Sequence, residues 1–354
     1  MSENVWAEQE TTPGAIEAAL RELLKERHAA VEAFVPARVL NLVVVVHREW
    51  RGEIANRLEK VGRYHPSRTV ICEVEHGRET IDAQVTIGSE DELATGELAL
   101  GRERVLVEIG DSHLEHVDSI VDPLVVTDLA TVVWAPHGHR EAVDSLMKLA
   151  QVVLVDSLDE PSIEAALERV RELAERCYVV DLAWLRSTPW RERIAATFDP
   201  AIWRRELGSI SSVEVRHRPD SLAAALLVVG WLGSRLHWGS GELAAVNGSL
   251  RGHVESRSRK AREVEVLLRS DERQSVPGLA GITIATSSGM SIALDRGPGG
   301  LSAVRRTRDG RESAWTVLGA SRGEAGILGE GIRQALLRDP TYAPALRCAS
   351  SLVR

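Results

Sequence analysis

The sequence predicts an α/β domain with a three-layer, mostly parallel sheet, followed by an α+β domain with an antiparallel sheet. Up to about residue 204, short β-branched runs alternate with helical patterns, as they do in parallel sheets covered by helices. After about residue 205, strand-like runs follow one another through turn signals. The chain has 354 residues, more than one hydrophobic core usually supports. We therefore place the two domains at residues 1–204 and 205–354.

The α/β domain begins with a segment that lacks any periodic pattern, so residues 1–13 are expected to form a loose tail. A helix is predicted over residues 15–34, where apolar residues recur at helical spacing before Pro36. The run VLNLVVVV at residues 39–46 is typical of a strand buried on both faces. A second helix is predicted over residues 50–61.

The alternation of strands and helices continues to residue 177. The strand at 80–88 follows its neighbour through a short link, so an antiparallel pair is expected there. Strands are predicted at residues 67–75, 80–88, 104–110, 130–136 and 152–157, and helices at 113–121, 139–150 and 161–177.

The α+β domain is predicted to combine a largely apolar helix with an antiparallel meander. A Ser-Gly and an Asp-Gly turn separate its later strands. Its last helix is expected to close the chain, with Ser321 and Glu324 spaced as a capping box. Strands are predicted at residues 210–217 and 262–269, strand–turn–strand segments at 282–296 and 306–315, and helices at 221–238 and 321–339.

Composition excludes several classes of protein. The net charge of −9 argues against a nucleic-acid binder, whose phosphate contacts require a basic surface. The longest apolar run, residues 222–233, is too short for a membrane span of ~20 residues, and no signal peptide is recognised. Cys72, Cys177 and Cys348 are far apart, and this spacing is typical of a reducing compartment. We expect a cytoplasmic protein with neither a nucleic-acid partner nor a membrane partner.

The recognised catalytic motifs are absent from the sequence. No strand is followed by GxGxxG, and P-loop, GxSxG, SxxK and HExxH motifs are missing. The segment GILGEGIR at residues 326–333 lies inside a helical pattern, which favours close helix packing. We therefore predict neither a catalytic residue nor a bound cofactor.

Two histidine pairs and two aspartates are candidate ligands. His113 with His116, and His137 with His139, lack the further ligands that a metal site needs, so no metal is predicted. Asp156 and Asp181 each end a strand-like run, where α/β proteins place ligand-binding groups. Capping of the following loop or helix is the alternative for both aspartates.

The segment HPSR enters the strand at residues 67–75. Pro66 disfavours a helix at the preceding residue, which leaves the side chains of His65 and Arg68 on or near a short loop. An arginine there could bind a carboxylate or phosphate through two hydrogen bonds. A purely structural loop is an equal alternative.

The segment DLAWLRSTPWRERIAATFDP, residues 181–200, is predicted to run from a strand end through a loop into a helix. Thr188 is expected to cap this helix and Pro189 to lie in its first turn. The helical pattern places Ile194 and Phe198 in the core, and the strand pattern does the same for Leu182.

The tryptophans and arginines of this segment are candidates for binding a protein partner. The chain holds nine Trp against two Phe, and Trp and Arg are enriched in interface hot spots. We expect Trp190 and Arg191 to lie at or next to a recognition surface, with Trp184 and Arg186 as further candidates. Closure of the domain boundary is the alternative for both tryptophans.

Several segments together resemble one known family. RVLNLVVVV, HPSR, DLAWLRSTPWRERIAATFDP and WLGSRLHW occur in one order between residues 38 and 238. In this combination the chain resembles the OpcA family, the glucose-6-phosphate dehydrogenase assembly proteins of actinobacteria and cyanobacteria. The excess of arginine over the four lysines suits an actinobacterial source.

The resemblance implies a non-catalytic partner of glucose-6-phosphate dehydrogenase, which binds the enzyme and promotes its active oligomer in the oxidative pentose phosphate pathway. It implies no cofactor, and the family supplies no catalytic residues to carry over. On this reading the partner-binding candidates are His65, Arg68, Trp184, Arg186, Trp190 and Arg191. The alternative is an enzyme or sensor that binds a sugar phosphate or nucleotide at the carboxyl ends of the parallel strands.

Overall fold

The described part of the chain forms two compact units, each assembled from separate stretches of sequence. In the computed structural model, the first unit comprises Met1–Val155, Glu175–Val180 and Glu324–Leu337, and the second comprises Asp156–Ala174, Asp181–Gly323 and Arg338–Arg354. The boundary after residue 204 stays a prediction. The structure describes residues 4–30, 34–35, 38–62, 66–89, 99–160, 162–257, 263–297, 299–318 and 323–353.

A mostly parallel sheet organises the first part of the chain, as the sequence predicts. Its strands lie in the order β1-β5-β6-β4-β3-β7-β8-β9, and β2 pairs with β6. The described strands are β1 (Asn4–Glu8), β2 (Phe34–Val35), β3 (Leu40–His47), β4 (Ser67–Val74), β5 (Asp82–Ser89), β6 (Ala99–Ile109), β7 (Thr131–Trp134), β8 (Val152–Val155) and β9 (Tyr178–Asp181).

The strand β3 lies at the centre of this sheet. It pairs in parallel with β4 on one side and with β7 on the other, so the strand order reverses direction at β3. Every residue of β3 except its last is buried, because helices cover both faces of a doubly wound sheet. The gap between the carboxyl ends of β3 and β7 is therefore the topological switch point, where such sheets usually bind ligands.

The antiparallel part of the sheet differs from expectation in two respects. β5 is antiparallel as expected, but its partners are β6 and β1 and not the preceding strand β4, because β6 lies between β4 and β5. The amino-terminal segment, however, is not a loose tail, because residues of β1 pair with β5 at the edge of the sheet. That pairing depends on residues some eighty positions away, so no local pattern could indicate it.

Helices flank the strands at the positions that the alternation predicts. The segment predicted as one helix at residues 113–121 begins as a 3₁₀ turn, Asp111–His116, before the α-helix. The described helices are α1 (Pro13–Ala30), α2 (Arg51–Gly62), α3 (Val117–Val121), α4 (Arg140–Leu146), α5 (Ile163–Ala174), α6 (Leu182–Arg186), α7 (Thr188–Phe198), α8 (Ala201–Arg204), α9 (Leu222–Leu236), α10 (Gly323–Leu337) and α11 (Tyr342–Ser350).

The second sheet is mostly antiparallel, which confirms the predicted meander. Its strand order is β11-β12-β13-β10-β14-β15-β16-β17, and its one parallel pair among the described residues joins β10 to β13. The strands are β10 (Ile210–His217), β11 (Gly241–Val246), β12 (Ser249–Glu255), β13 (Glu263–Ser270), β14 (Leu279–Thr286), β15 (Ser291–Gly297), β16 (Gly300–Arg306) and β17 (Glu312–Leu318).

The apolar helix α9 fills the centre of the second unit. It packs against β10, β13, α6 and α11, so most of its residues are buried. Close approach to α11 depends on Gly230, because a Cβ atom there would clash with the backbone oxygen of Ala345. The helix α11 itself was not foreseen, since α10 was expected to end the chain. In the part of the chain that the structure describes, no helix is both long enough and apolar enough to cross a membrane.

Candidate functional site

The segment from Asp181 to Phe198 folds as two short helices instead of a loop and one helix. α6 ends at Arg186 and α7 begins at Thr188, so the chain turns at the single buried residue Ser187. Ser187, not Thr188, is the N-cap of α7, and Pro189 lies in the first turn as expected. The predicted burial of Leu182, Ile194 and Phe198 is confirmed.

Trp190 and Arg191, which were predicted to lie at or next to a recognition surface, are both buried. Trp190 has 0% of its surface exposed and Arg191 has 8%. The tight turn at Ser187 directs the first turn of α7 into the unit, where Arg296 lies 5.8 Å from the centre of the Trp190 ring. Neither side chain offers an open contact surface. Their role in binding a partner stays a prediction, and such a role would have to act through the fold of the segment.

The side chains of α6 and α7 form a closed polar cluster within the second unit. The Arg191 guanidinium lies 3.4 Å above the Trp184 ring and donates to Thr188 Oγ1 at 2.9 Å. Trp184 is 2% exposed, and its Nε1 donates to Asp339 Oδ2 at 2.9 Å. Burial lowers the pKa of Arg191 to about 10, so the side chain remains charged at neutral pH.

The two candidate aspartates, Asp156 and Asp181, are held by neighbouring protein groups. Asp181 caps α6 by accepting from the Ala183 backbone N at 2.8 Å, and it accepts from Ser157 Oγ at 2.6 Å and Tyr342 OH at 3.2 Å. Burial and the nearby Asp156 raise the pKa of Asp181 to about 6. The capping interpretation of Asp181 is therefore confirmed.

Asp156 forms a two-point ion pair with the candidate Arg186. The two guanidinium nitrogens donate to its carboxylate at 2.8 and 2.7 Å, and both side chains are nearly buried. This geometry is the strong, directional form of an arginine–carboxylate contact. Arg186 is thus committed to an internal partner.

The remaining candidates belong to the HPSR segment. Arg68 is the second residue of β4 in the first unit, where its Nε donates to Glu103 Oε2 at 2.6 Å and its Nη1 donates to the Leu124 carbonyl at 3.1 Å. Both side chains are buried, so Arg68 serves the packing of this unit. His65 lies outside the described residues.

The switch point of the first sheet carries histidines and a tryptophan where dinucleotide-binding folds have glycines. β3 ends at His47, whose ring centre is 4.3 Å from that of His139. The ring centres of Trp50 and His137 are 4.7 Å apart. In the described structure His139 Nε2 is buried without a hydrogen-bond partner, and burial and His47 lower the pKa of His139 to about 4.

The segment after β3 leaves no glycine-rich turn for a pyrophosphate. A 3₁₀ turn, Arg48–Trp50, leads directly into α2. Arg48 and Arg51 face the buried carboxylate of Glu73, with nitrogen–oxygen distances of 3.6 and 3.3 Å. Over the described ranges, no group of three or more His, Cys, Asp or Glu residues is arranged to hold a metal ion.

A second cluster of tryptophan and arginine lies at the end of the second sheet and was missed in the sequence. Arg305 on β16 is 4.2 Å from the centre of the Trp203 ring and 5.8 Å from that of Trp315. Ile202, beside Trp203 on α8, is 66% exposed. We call these four residues the Trp203 patch. Only the composition of the segments IWRR and RRTRDGRESAW could have indicated it.

Two family profiles match the chain in succession. The profile described as the glucose-6-phosphate dehydrogenase subunit N-terminal domain matches residues 58–172, and the C-terminal domain profile of the same subunit matches residues 177–346. Together they include most of both sheets.

Curated relatives match over shorter segments. The chain is 30% identical over 129 residues to the putative OxPP cycle protein OpcA of Synechocystis. The aligned segment is 35% of this chain and 27% of that protein. It is 25% identical over 199 residues to the protein of the same name from Synechococcus elongatus, covering 55% of this chain and 44% of that protein. The chain thus spans less than half the length of these relatives. The matching relatives are cyanobacterial, and the actinobacterial source suggested by arginine usage finds no support among them.

Solved structures share the fold. An oxidoreductase from Sinorhizobium meliloti aligns over 89% of this chain and 95% of its own, with a TM-score of 0.50 and 14% sequence identity. At that identity the likeness concerns the architecture alone.

Proposed function

Because the chain belongs to the OpcA family, we propose that it is a non-catalytic subunit that associates with glucose-6-phosphate dehydrogenase, promotes its active oligomer and raises its activity. The observation that carries this proposal is the succession of the two subunit profiles over residues 58–172 and 177–346. Their order along the chain matches the order of their names, from the N-terminal to the C-terminal domain. The relatives' name as OxPP cycle proteins supports the same metabolic setting.

The switch point of the first sheet supports the non-catalytic part of the proposal. Dinucleotide-dependent enzymes place a glycine-rich turn after the first strand, so that the pyrophosphate can approach the helix terminus. Here Arg48, Glu49 and Trp50 occupy that position. Side chains of this size would keep a pyrophosphate away from the backbone N–H groups of α2. The architecture is shared with an oxidoreductase, while the turn that binds the cofactor is replaced.

The activation can be tested with the two purified proteins. The dehydrogenase is assayed over a range of glucose-6-phosphate concentrations, with and without a saturating amount of this chain. An allosteric coupling of ~1–3 kcal/mol would tighten substrate binding or raise turnover roughly 5–150-fold. The chain alone, given the same substrate and either nicotinamide cofactor, is the control and should show no turnover. Unchanged kinetics and unchanged oligomer size of the dehydrogenase would refute the proposal.

A second candidate function rests on the histidine cluster at the switch point. The unpartnered Nε2 of His139 and the exposed rings of Trp50 and His137 could receive a sugar phosphate or nucleotide. A ligand that binds the native chain raises its melting temperature by mass action. Thermal shifts with sugar phosphates and nucleotides, lost in Trp50→Ala, would support this function. The absence of any shift in melting temperature at millimolar ligand would refute this second function.

The buried candidates have an indirect role in this proposal. Trp184, Arg186, Trp190 and Arg191 shape the α6–α7 turn, from which the chain continues into α8, and so would influence partner binding through the fold. Arg68 would act through its pair with Glu103. Substitutions at these positions are expected to reduce binding only together with stability.

A further inference from the structure

The Trp203 patch combines exposed apolar surface with an arginine that lies over two tryptophan rings. Trp203 and Trp315 flank the Arg305 guanidinium at 4.2 and 5.8 Å. Arg305 and Trp315 share one side of the sheet, because β16 and β17 pair Ala303 with Trp315, two positions from Arg305. Contacts of this kind between a cation and an aromatic ring are attractive and fix the guanidinium plane.

Among the residues that the structure describes, Arg305 differs from its arginine neighbours on the second sheet because it has no carboxylate partner. Arg216, Arg251, Arg269 and Arg306 each form an ion pair with Asp or Glu across the strands. Among the residues that the structure describes, Arg305 has no such partner, and its Nε is buried without an acceptor. Its charge is therefore oriented but not neutralised, which is the state expected of a group that receives an external carboxylate.

The surroundings of Arg305 are basic although the protein is acidic. The seven residues 305–311, RRTRDGR, contain four arginines and one aspartate, in a chain whose net charge is −9. Arg306 and Arg311 pair with Glu312 and Asp309, so the excess positive charge comes from Arg305 and Arg308. α8 ends at Arg204, which pairs with Asp199, and Arg205 follows it. A local field of this sign attracts acidic surfaces and accelerates their association.

We propose that the Trp203 patch is the surface on which the chain docks an acidic, partly apolar segment of its dehydrogenase partner. A carboxylate of that segment would accept hydrogen bonds from Arg305, and an adjoining apolar side chain would cover Ile202, which is 66% exposed. The inference rests on the proposed association with glucose-6-phosphate dehydrogenase and adds its location. Tryptophan and arginine at the centre of a contact are the residues that most often dominate binding.

The chemistry favours a protein over a nucleic acid as the occupant. Base stacking needs free aromatic faces, whereas one face of Trp203 and one face of Trp315 already carry Arg305. The exposed Ile202 offers an apolar contact that a phosphate backbone cannot use. The overall charge of −9 also repels a polyanion beyond the immediate basic segment.

The test measures the affinity of the full chain for the dehydrogenase by calorimetry. Ile202→Asp and Arg305→Glu each change the patch, and Ile202 is exposed enough that its substitution leaves folding intact. Each variant is expected to weaken binding roughly 10–100-fold, as hot-spot substitutions do. Arg305→Lys keeps the charge but loses the planar stacking, and should give an intermediate loss. Wild-type affinity should also fall more steeply with salt than that of Arg305→Gln.

Matched control variants lie away from the patch. Leu337→Asp introduces the same charge at a residue that is 61% exposed in the first unit, and Arg251→Ala removes a paired arginine from the same sheet. Both should bind as the wild type does. Wild-type binding that survives Ile202→Asp and Arg305→Glu would overturn the patch while leaving the association intact. No binding by the wild type would overturn both, and competition by a single-stranded RNA for the patch would also refute the inference.

Discussion

Replacing Trp184 with alanine or phenylalanine separates two contributions to the stability of the second unit. The ring is 2% exposed, its Nε1 donates to Asp339, and Arg191 lies 3.4 Å above its face. Trp184→Ala removes the ring, the hydrogen bond and the contact with Arg191. Trp184→Phe keeps most of the ring and removes the donor.

The expected magnitudes differ between the two variants. Loss of a buried Trp side chain costs ~3–5 kcal/mol in transfer and cavity energy, and the loss of the ring contact with Arg191 adds ~1 kcal/mol. The phenylalanine variant loses one hydrogen bond, worth about 1 kcal/mol net. Asp339 keeps the donors of Thr341 at 2.8 and 2.6 Å, so its carboxylate is not left unpaired. For a unit of roughly 150–250 residues, about 1 kcal/mol lowers the melting temperature by ~2–4 °C.

Thermal unfolding followed by circular dichroism measures the difference. We expect a decrease of roughly 10–20 °C for Trp184→Ala and of ~2–5 °C for Trp184→Phe. Trp50→Ala, at a tryptophan that is 39% exposed, is the control and should change the melting temperature by less than ~3 °C. A Trp184→Ala protein that melts within ~3 °C of the wild type would refute the assignment of this ring to the core.

Four further outcomes are expected. Arg186→Met should cost ~3–5 kcal/mol in urea unfolding by stranding the Asp156 carboxylate, and a variant with Asp156→Leu added should recover most of it. Burial raises the pKa of Asp181 to about 6, above its unfolded value near 4, so the native state binds this proton more tightly and the free energy of unfolding falls as pH rises from about 4 to about 6. Asp181→Asn should therefore gain stability relative to the wild type over that range. Parallel pH profiles of stability for the two proteins would contradict this. A triple Cys→Ser variant should still activate the dehydrogenase. Burial raises the pKa of Cys72 to about 12 and also raises that of Cys348, which keeps both thiols protonated and unreactive. An oxidant that changes activation by the wild type but not by this variant would contradict the prediction. Gly230→Ala should lower the melting temperature markedly by forcing α9 away from α11, whereas the open Gly14→Ala should not.

Much of the fold was predictable because the sequence patterns are local. The run of residues 39–46 contains only apolar residues and one asparagine, and it forms the buried central strand β3. Turn residues marked the antiparallel strands of the second sheet. β1 and α11 were not predicted, since β1 exists through pairing with β5 and the short α11 contains Pro344.

The burial of Trp190 could have been read from the sequence. Trp190 lies four residues before Ile194 and eight before Phe198, so all three fall on one helix stripe. The stripe that places Ile194 and Phe198 in the core includes Trp190 as well, and its effect on burial outweighs the general preference of tryptophan for interfaces. Residue type indicates an average environment, whereas helical spacing assigns a particular face. The Trp203 patch could not be found this way, because its two rings and its guanidinium come from segments a hundred residues apart.

The division of the chain between two units has a consequence for its synthesis. The first unit is nearly complete in sequence at Val155, yet it includes Glu324–Leu337. A ribosome that adds ~5–20 residues per second needs roughly ten to forty seconds to travel from one stretch to the other. Throughout that interval the nascent first unit lacks α10, whose residues Ile327, Leu328 and Ile332 are buried in the folded protein. The chain is therefore most open to chaperone binding, and to proteolysis, from the completion of residue 155 until α10 has been synthesised.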